Sequence, residues 1–118
     1  DSLLNYMDWD KADEDGPGLV RFTGALIRLR KREFVLQRTT WASGQDIQWH
    51  GVEPDAPDWS ETSRFLAFTQ NNYRGGGLYV AFNASHESVI VNLPRHLGGM
   101  GGLVWQQFVD TSKAAPFD

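Results

Sequence analysis

The stretch DIQWHGVEPDAPDWSETSRFLAF, Asp46 to Phe68, decides how this chain is read. Ile47-Gln48-Trp49-His50 is a short apolar-aromatic run with strand character. Pro54 and Pro57 then break any regular structure, and Trp59 closes the segment before a second strand run begins at Arg64. Connections between strands are usually a few residues long. An insert of this length between two strands, pinned by two tryptophans, is an uncommon solution.

Outward from the insert, the chain changes period once. Leu19, Phe22, Leu26 and Leu29 recur at three, four and three residues, which predicts an amphipathic helix over Leu19–Arg32. Arg28, Arg30, Lys31 and Arg32 crowd its end, where positive charge suits the negative pole of the helix. Asp1 to Pro17 reads as an irregular lead-in whose acidic residues sit before that helix. After Glu33 the pattern is extended. Strands are expected within Phe34–Trp41 and over Ile47–His50, Arg64–Gln70, Leu78–Asn83, Ser88–Leu93 and Leu103–Val109, separated by turn-forming residues. Leu78–Asn83 is apolar on both faces, as a central covered strand would be. Ala84–Glu87 reads as a hairpin loop. The expected fold class is mainly β: an antiparallel β-sandwich preceded by one α-helix.

Composition narrows the function. One domain-sized chain of 118 residues can bury roughly two-thirds of its unfolded surface. Acidic residues outnumber basic ones, 15 to 11, which disfavours nucleic acid as a partner. No cysteine is present, so disulfides and thiolate metal sites are excluded. No run approaches membrane-spanning length, and the first ten residues lack the pattern of a signal peptide. The cluster Asp8, Asp10, Asp13, Glu14 and Asp15 fails as a calcium loop, because Asp13 falls where glycine is needed and Leu19 where the last glutamate is needed. His50, His86 and His96 are too scattered for a metal-binding helix motif. No metal or cofactor is expected. Glycoside hydrolysis needs two carboxyl groups across a sugar bond, and nothing places Asp46, Asp58 or Glu61 that way. The five tryptophans serve either as core payload or as sugar-stacking platforms. No catalytic residue is identified.

The ordered motifs carry more. Asp46-Ile47-Gln48-Trp49-His50-Gly51, Pro57-Asp58-Trp59-Ser60 and Ser63-Arg64-Phe65-Leu66-Ala67-Phe68 together resemble the C-terminal region of isoamylase-type debranching enzymes, in the α-amylase family of glycoside hydrolases. Asn5-Tyr6-Met7-Asp8-Trp9-Asp10 resembles that family's segment after the last barrel strand. Leu26-Ile27-Arg28-Leu29-Arg30-Lys31 resembles its last barrel helix, and Ala81–Glu87 a sandwich hairpin, with Ser85 where relatives carry a histidine. Val109-Asp110-Thr111-Ser112 resembles the closing strand.

The resemblance implies that residues 1–33 end a (β/α)8 catalytic barrel and residues 34–118 form a C-terminal β-sandwich domain. It implies a parent that hydrolyses α-1,6 branch linkages of amylopectin or glycogen with retention, in a plastid or otherwise in the cytoplasm, as a homo- or hetero-oligomer. Its catalytic carboxylates lie upstream, so this segment is expected to be inactive and to support the barrel, which would pack on Leu19, Phe22, Leu26 and Leu29. Asp1, at the loop leaving the last barrel strand, is the one candidate substrate contact. Two other functions fit the residues: a carbohydrate-binding module that stacks glucose on Trp49, Trp59 or Trp105, and a plain interaction domain.

Overall fold

The computed structural model describes residues 9–72, 76–95 and 104–118. Asp1, His96 and the glycine-rich stretch Gly98–Gly102 lie outside them. The chain divides into two compact units. One combines the helix with Trp105–Asp118, and the other is Phe34–Val104.

In the first unit, helix α1 spans Trp9–Arg32. It begins ten residues before the start expected from the leucine spacing, so most of the lead-in is helical rather than irregular. Pro17 lies inside it. Proline has no N–H, so the Asp13 carbonyl loses its usual partner, and Gly16 and Gly18 add nothing to helix propensity. Two effects offset this. Asp10, in the first turn, interacts favourably with the positive pole. The C-terminal tail also packs along the helix. Phe108 lies under the Arg32 guanidinium at 5.3 Å, Ala115 flanks Gly18, and Asp118 pairs with Arg21. Trp105–Asp110 is irregular, not part of the strand expected over Leu103–Val109: no described backbone pairs with it in a ladder, and Phe108 meets the Arg32 side chain instead. On the apolar stripe, Phe22 and Leu29 are half-buried, whereas Leu19 and Leu26 are exposed.

The second unit is built on three antiparallel strands in the order β1-β2-β3: β1 Ile47–His50, β2 Phe65–Asn71 and β3 Gly77–Asn83. Its register sets Trp49 opposite Phe68 and Phe68 opposite Val80. Side chains alternate across a strand. One face therefore carries Ile47, Trp49, Leu66, Phe68, Gln70, Leu78, Val80 and Phe82. The other carries Gln48, His50, Phe65, Ala67, Thr69, Tyr79 and Ala81. Burial is deepest on this second face, at His50, Ala67 and Thr69. Among the described residues the central strand is β2. The two-sided apolar pattern of β3 instead belongs to an edge strand whose Ala81, Phe82 and Asn83 are exposed.

Phe34–Gln37 forms a 3-10 helix in place of the expected strand. The Gln70 side chain donates to the Val35 carbonyl at 2.9 Å, and Val35 is buried. Arg38 pairs with Asp46 at 2.6 Å, and Ser43 donates to the same carboxylate from both its N–H and its hydroxyl. Those bonds, led by Arg38, hold the Asp46 carboxyl well below the usual range and fix the turn that starts β1. Ser88–Leu93 alternates in sequence but makes no strand. Its Asn92 N–H meets the Val52 carbonyl, and one isolated backbone bond is not a ladder. Without that strand, Ala84–Glu87 is a loop built on Asn83 and Ser85 and not a hairpin turn.

Gly51, buried just after β1, has no room for a side chain. A Cβ there would lie 2.2 Å from the Ala56 carbonyl oxygen. Gly51→Ala is expected to lower stability to chemical denaturation by about 1–3 kcal/mol, the scale of overpacking. Gly44→Ala, which meets nothing within 4 Å, should leave it unchanged.

A candidate aromatic face on the sheet

The insert is fastened to both faces of the sheet. On the second face, the His50 ring is 1% exposed. Its Nε2 lies 2.8 Å from the Thr69 hydroxyl. Its Nδ1 accepts the Asp55 backbone N–H at 2.9 Å. The ring is thus the neutral tautomer with the proton on Nε2. Tyr79 stacks on it from β3 at 6.0 Å. Burial pushes the His50 pKa down, partly opposed by the Asp55 carboxylate. Asp55 adopts a positive φ of 61°, a conformation that Asp tolerates better than most residues.

On the first face, the far end of the insert returns to the sheet through Trp59. Trp59 packs edge-on against Trp49 at 5.6 Å. Trp49 in turn meets Phe68 at 5.5 Å, again edge-on, and Phe68 meets Phe82 at 6.4 Å. The result is a continuous aromatic ridge across three strands. It is also open: Trp49 is 41% exposed, Phe82 58% and Trp59 64%. Of the three tryptophans that the alternative sugar-binding reading names, the structure brings Trp49 and Trp59 together. Trp105 belongs to the other compact unit and is half-buried. Phe68 and Phe82 were missed in sequence, because only the strand register puts them beside Trp49. Alternation within each strand was the available signal.

No hydrolytic pair emerges among the described carboxylates. A glycosidase acid needs a carboxyl held protonated by its surroundings. Asp46, Asp58 and Asp110 are all shifted the other way: Asp46 first by Arg38, Asp58 by the Ser60 N–H, and Asp110 by Ser112, the last to about 2. No group of three or more metal-ligating side chains is clustered among the described residues. No described helix is long and apolar enough to cross a membrane. The proposed Asp1 contact falls outside the described residues.

Comparison with known proteins gives this geometry a setting. Residues 48–118 match the family model described as isoamylase 1-3, C-terminal. The chain is 42% identical over its full length to isoamylase SU1, chloroplastic, of Zea mays. It is 41% identical to isoamylase 1, chloroplastic, of Arabidopsis thaliana, and 29% identical, over 94% of its length, to an isoamylase of Pseudomonas amyloderamosa. It spans only 14–15% of the length of these relatives.

Trp59→Ala is expected to cost about 1 kcal/mol of stability through loss of the edge-on contact with Trp49. Trp41→Ala removes a tryptophan that is almost fully exposed and should be silent in the same denaturation experiment.

Proposed function

Because the chain belongs to the isoamylase 1-3 C-terminal family, we propose that it is the non-catalytic C-terminal part of a debranching enzyme. In this reading the parent hydrolyses α-1,6-glucosidic branch linkages in amylopectin or glycogen, and this segment supports its catalytic barrel. The observation that carries the reading is full-length similarity to 14–15% of two isoamylases, together with the match of residues 48–118 to a C-terminal isoamylase family model. The absence of a paired acid and nucleophile among the described carboxylates agrees with it.

The finer architecture follows from the same reading. Helix α1 is the last helix of the (β/α)8 barrel, and Leu19, Phe22, Leu26 and Leu29 meet barrel strands. Residues 34–118 make the C-terminal β-sandwich, so the open apolar face of the sheet is one that other parts of the enzyme cover. Asp1 stands at the loop by which the barrel approaches glucan. The chloroplastic relatives support a plastid location, and assembly into homo- or hetero-oligomers accords with the reading.

One observation favours a second reading. Trp49, Trp59 and Phe82 are exposed on one surface, as a glucan-stacking module requires. Their edge-on packing argues against it, since sugar stacking uses flat ring faces, and half-exposed Leu66, Val80 and Leu78 beside them call for an apolar partner.

Two measurements separate these readings. A blot of the source cells, with antibody raised to this chain, should show a band several times heavier than 13.3 kDa. A band at the chain's own mass would sink the enzyme reading. Titration of the isolated chain with a linear maltooligosaccharide should leave tryptophan emission unchanged, and a saturable change abolished by Trp59→Ala would establish the sugar-binding alternative.

A further inference from the structure

The long insert is held to the second face of the sheet by one titratable ring. His50 serves two partners with opposite hydrogen-bonding roles. Nε2–H donates to Thr69 in β2, and bare Nδ1 accepts from the Asp55 amide in the insert. A proton placed on Nδ1 would turn that acceptor into a donor and set it against the Asp55 N–H. A second acceptor already stands within reach: the Asp55 carboxylate, whose Oδ1 is 3.4 Å from Nδ1 and whose side chain is 61% exposed and free of deep packing. Asp55 thus offers the ring a partner for each protonation state.

We propose that His50 is an acid-release latch on the insert. While neutral, it fixes the Asp55 amide, and with it the left-handed turn at Asp55, against the sheet. When it takes a proton from solvent at Nδ1, its partner becomes the Asp55 carboxylate. The Asp55 amide is then freed and the Gly51–Asp55 loop loosens.

The surroundings set the direction of the switch. Among the described residues, the ionisable groups facing the ring are the Asp55 carboxylate from the insert and the Tyr79 phenol from β3. The Glu53 carboxylate on the same loop is engaged by the Asn92 side chain. β2 contributes neutral Thr69 and Ala67. Burial disfavours the charged ring, so its folded-state pKa lies below the ordinary value. In that case the unfolded chain binds the proton more readily. The latch contributes its full stability above about pH 6.5 and loses it as pH falls from there through the folded-state pKa. Loosening would reach the segment around Asn92, whose N–H and side chain bond to Val52 and Glu53 of the same loop. The inference does not depend on the enzyme reading, since it concerns the fold of this chain alone.

The test is a histidine and amide NMR titration of the 118-residue chain from pH 8 to pH 5. With three histidines in the sequence the ring signals are separable. At pH 8, His50 should show the Nε2–H tautomer. Its midpoint should lie below 6.5, and the Asp55 amide should shift and exchange faster with the same midpoint. Asp55→Asn keeps the amide and removes the carboxylate that receives the charged ring. It should lower the His50 midpoint by on the order of half a pH unit, the scale of a partly exposed charge pair. In His50→Gln the Asp55 amide should no longer respond to pH. If that variant does not fold, Asp55→Asn, at an exposed side chain, decides alone. An Nδ1–H tautomer at pH 8, an Asp55 amide that ignores His50 protonation, or an unmoved midpoint in Asp55→Asn would each overturn the proposal.

Discussion

The hydrogen bond between His50 and Thr69 ties the end of β1 to the central strand at the most buried point of the sheet unit. A buried polar ring must have both nitrogens satisfied, or it costs more than an apolar side chain of the same size. Thr69 satisfies one nitrogen and the Asp55 amide the other. That requirement places the insert. Once Asp55 is drawn to the ring, Gly51 must pass close to the Ala56 carbonyl, and only glycine fits there. The remaining insert residues then reach round to the opposite face, where Trp59 meets Trp49.

The two faces of the sheet are consequently unlike. On one, His50, Ala67 and Thr69 are buried, and the Asp55 amide of the insert bonds to the His50 ring. The other is more apolar yet remains half open, covered in part by Trp59 and at one end by the 3-10 helix at Val35. The polar network is buried while the aromatics Trp49, Trp59 and Phe82 stay exposed, and an exposed apolar surface of this kind is a common mark of an interaction site. Membership of an isoamylase C-terminal family supplies a physical reason. The curated relatives are about seven times longer, and the surplus chain offers surface on which such a face can be buried.

The helix unit shows the same dependence on context. α1 runs through Gly16-Pro17-Gly18, a sequence that ends most helices. The C-terminal tail lies against it at Gly18, Arg21 and Arg32. Local propensity and tertiary contact disagree over this segment, and contact prevails. Leu19 and Leu26 are still left exposed, so the tail covers the apolar stripe only in part.

From sequence alone, the period-3.6 leucines located the helix, short apolar and aromatic runs bounded by turn-forming residues located β1, β2 and β3 to within a residue or so, and the motif order around Trp49 and Trp59 indicated the family. Each of those signals is local: side-chain spacing or residue identity carries it without knowledge of a partner. Other features were decided only in three dimensions. The extension of α1 back to Trp9, through Pro17, was not carried by the leucine spacing. Ser88–Leu93 alternates and Leu103–Val109 also reads as a strand, but a strand exists only where another backbone runs alongside it, and sequence pattern cannot supply that neighbour. The aromatic ridge needed the register that sets Phe68 between Trp49 and Phe82. The role of His50 needed Thr69 and Asp55 on either side of one ring. Sequence determined which segments have a face to bury, and tertiary structure decided what buries each face, because burial joins residues that are distant along the chain.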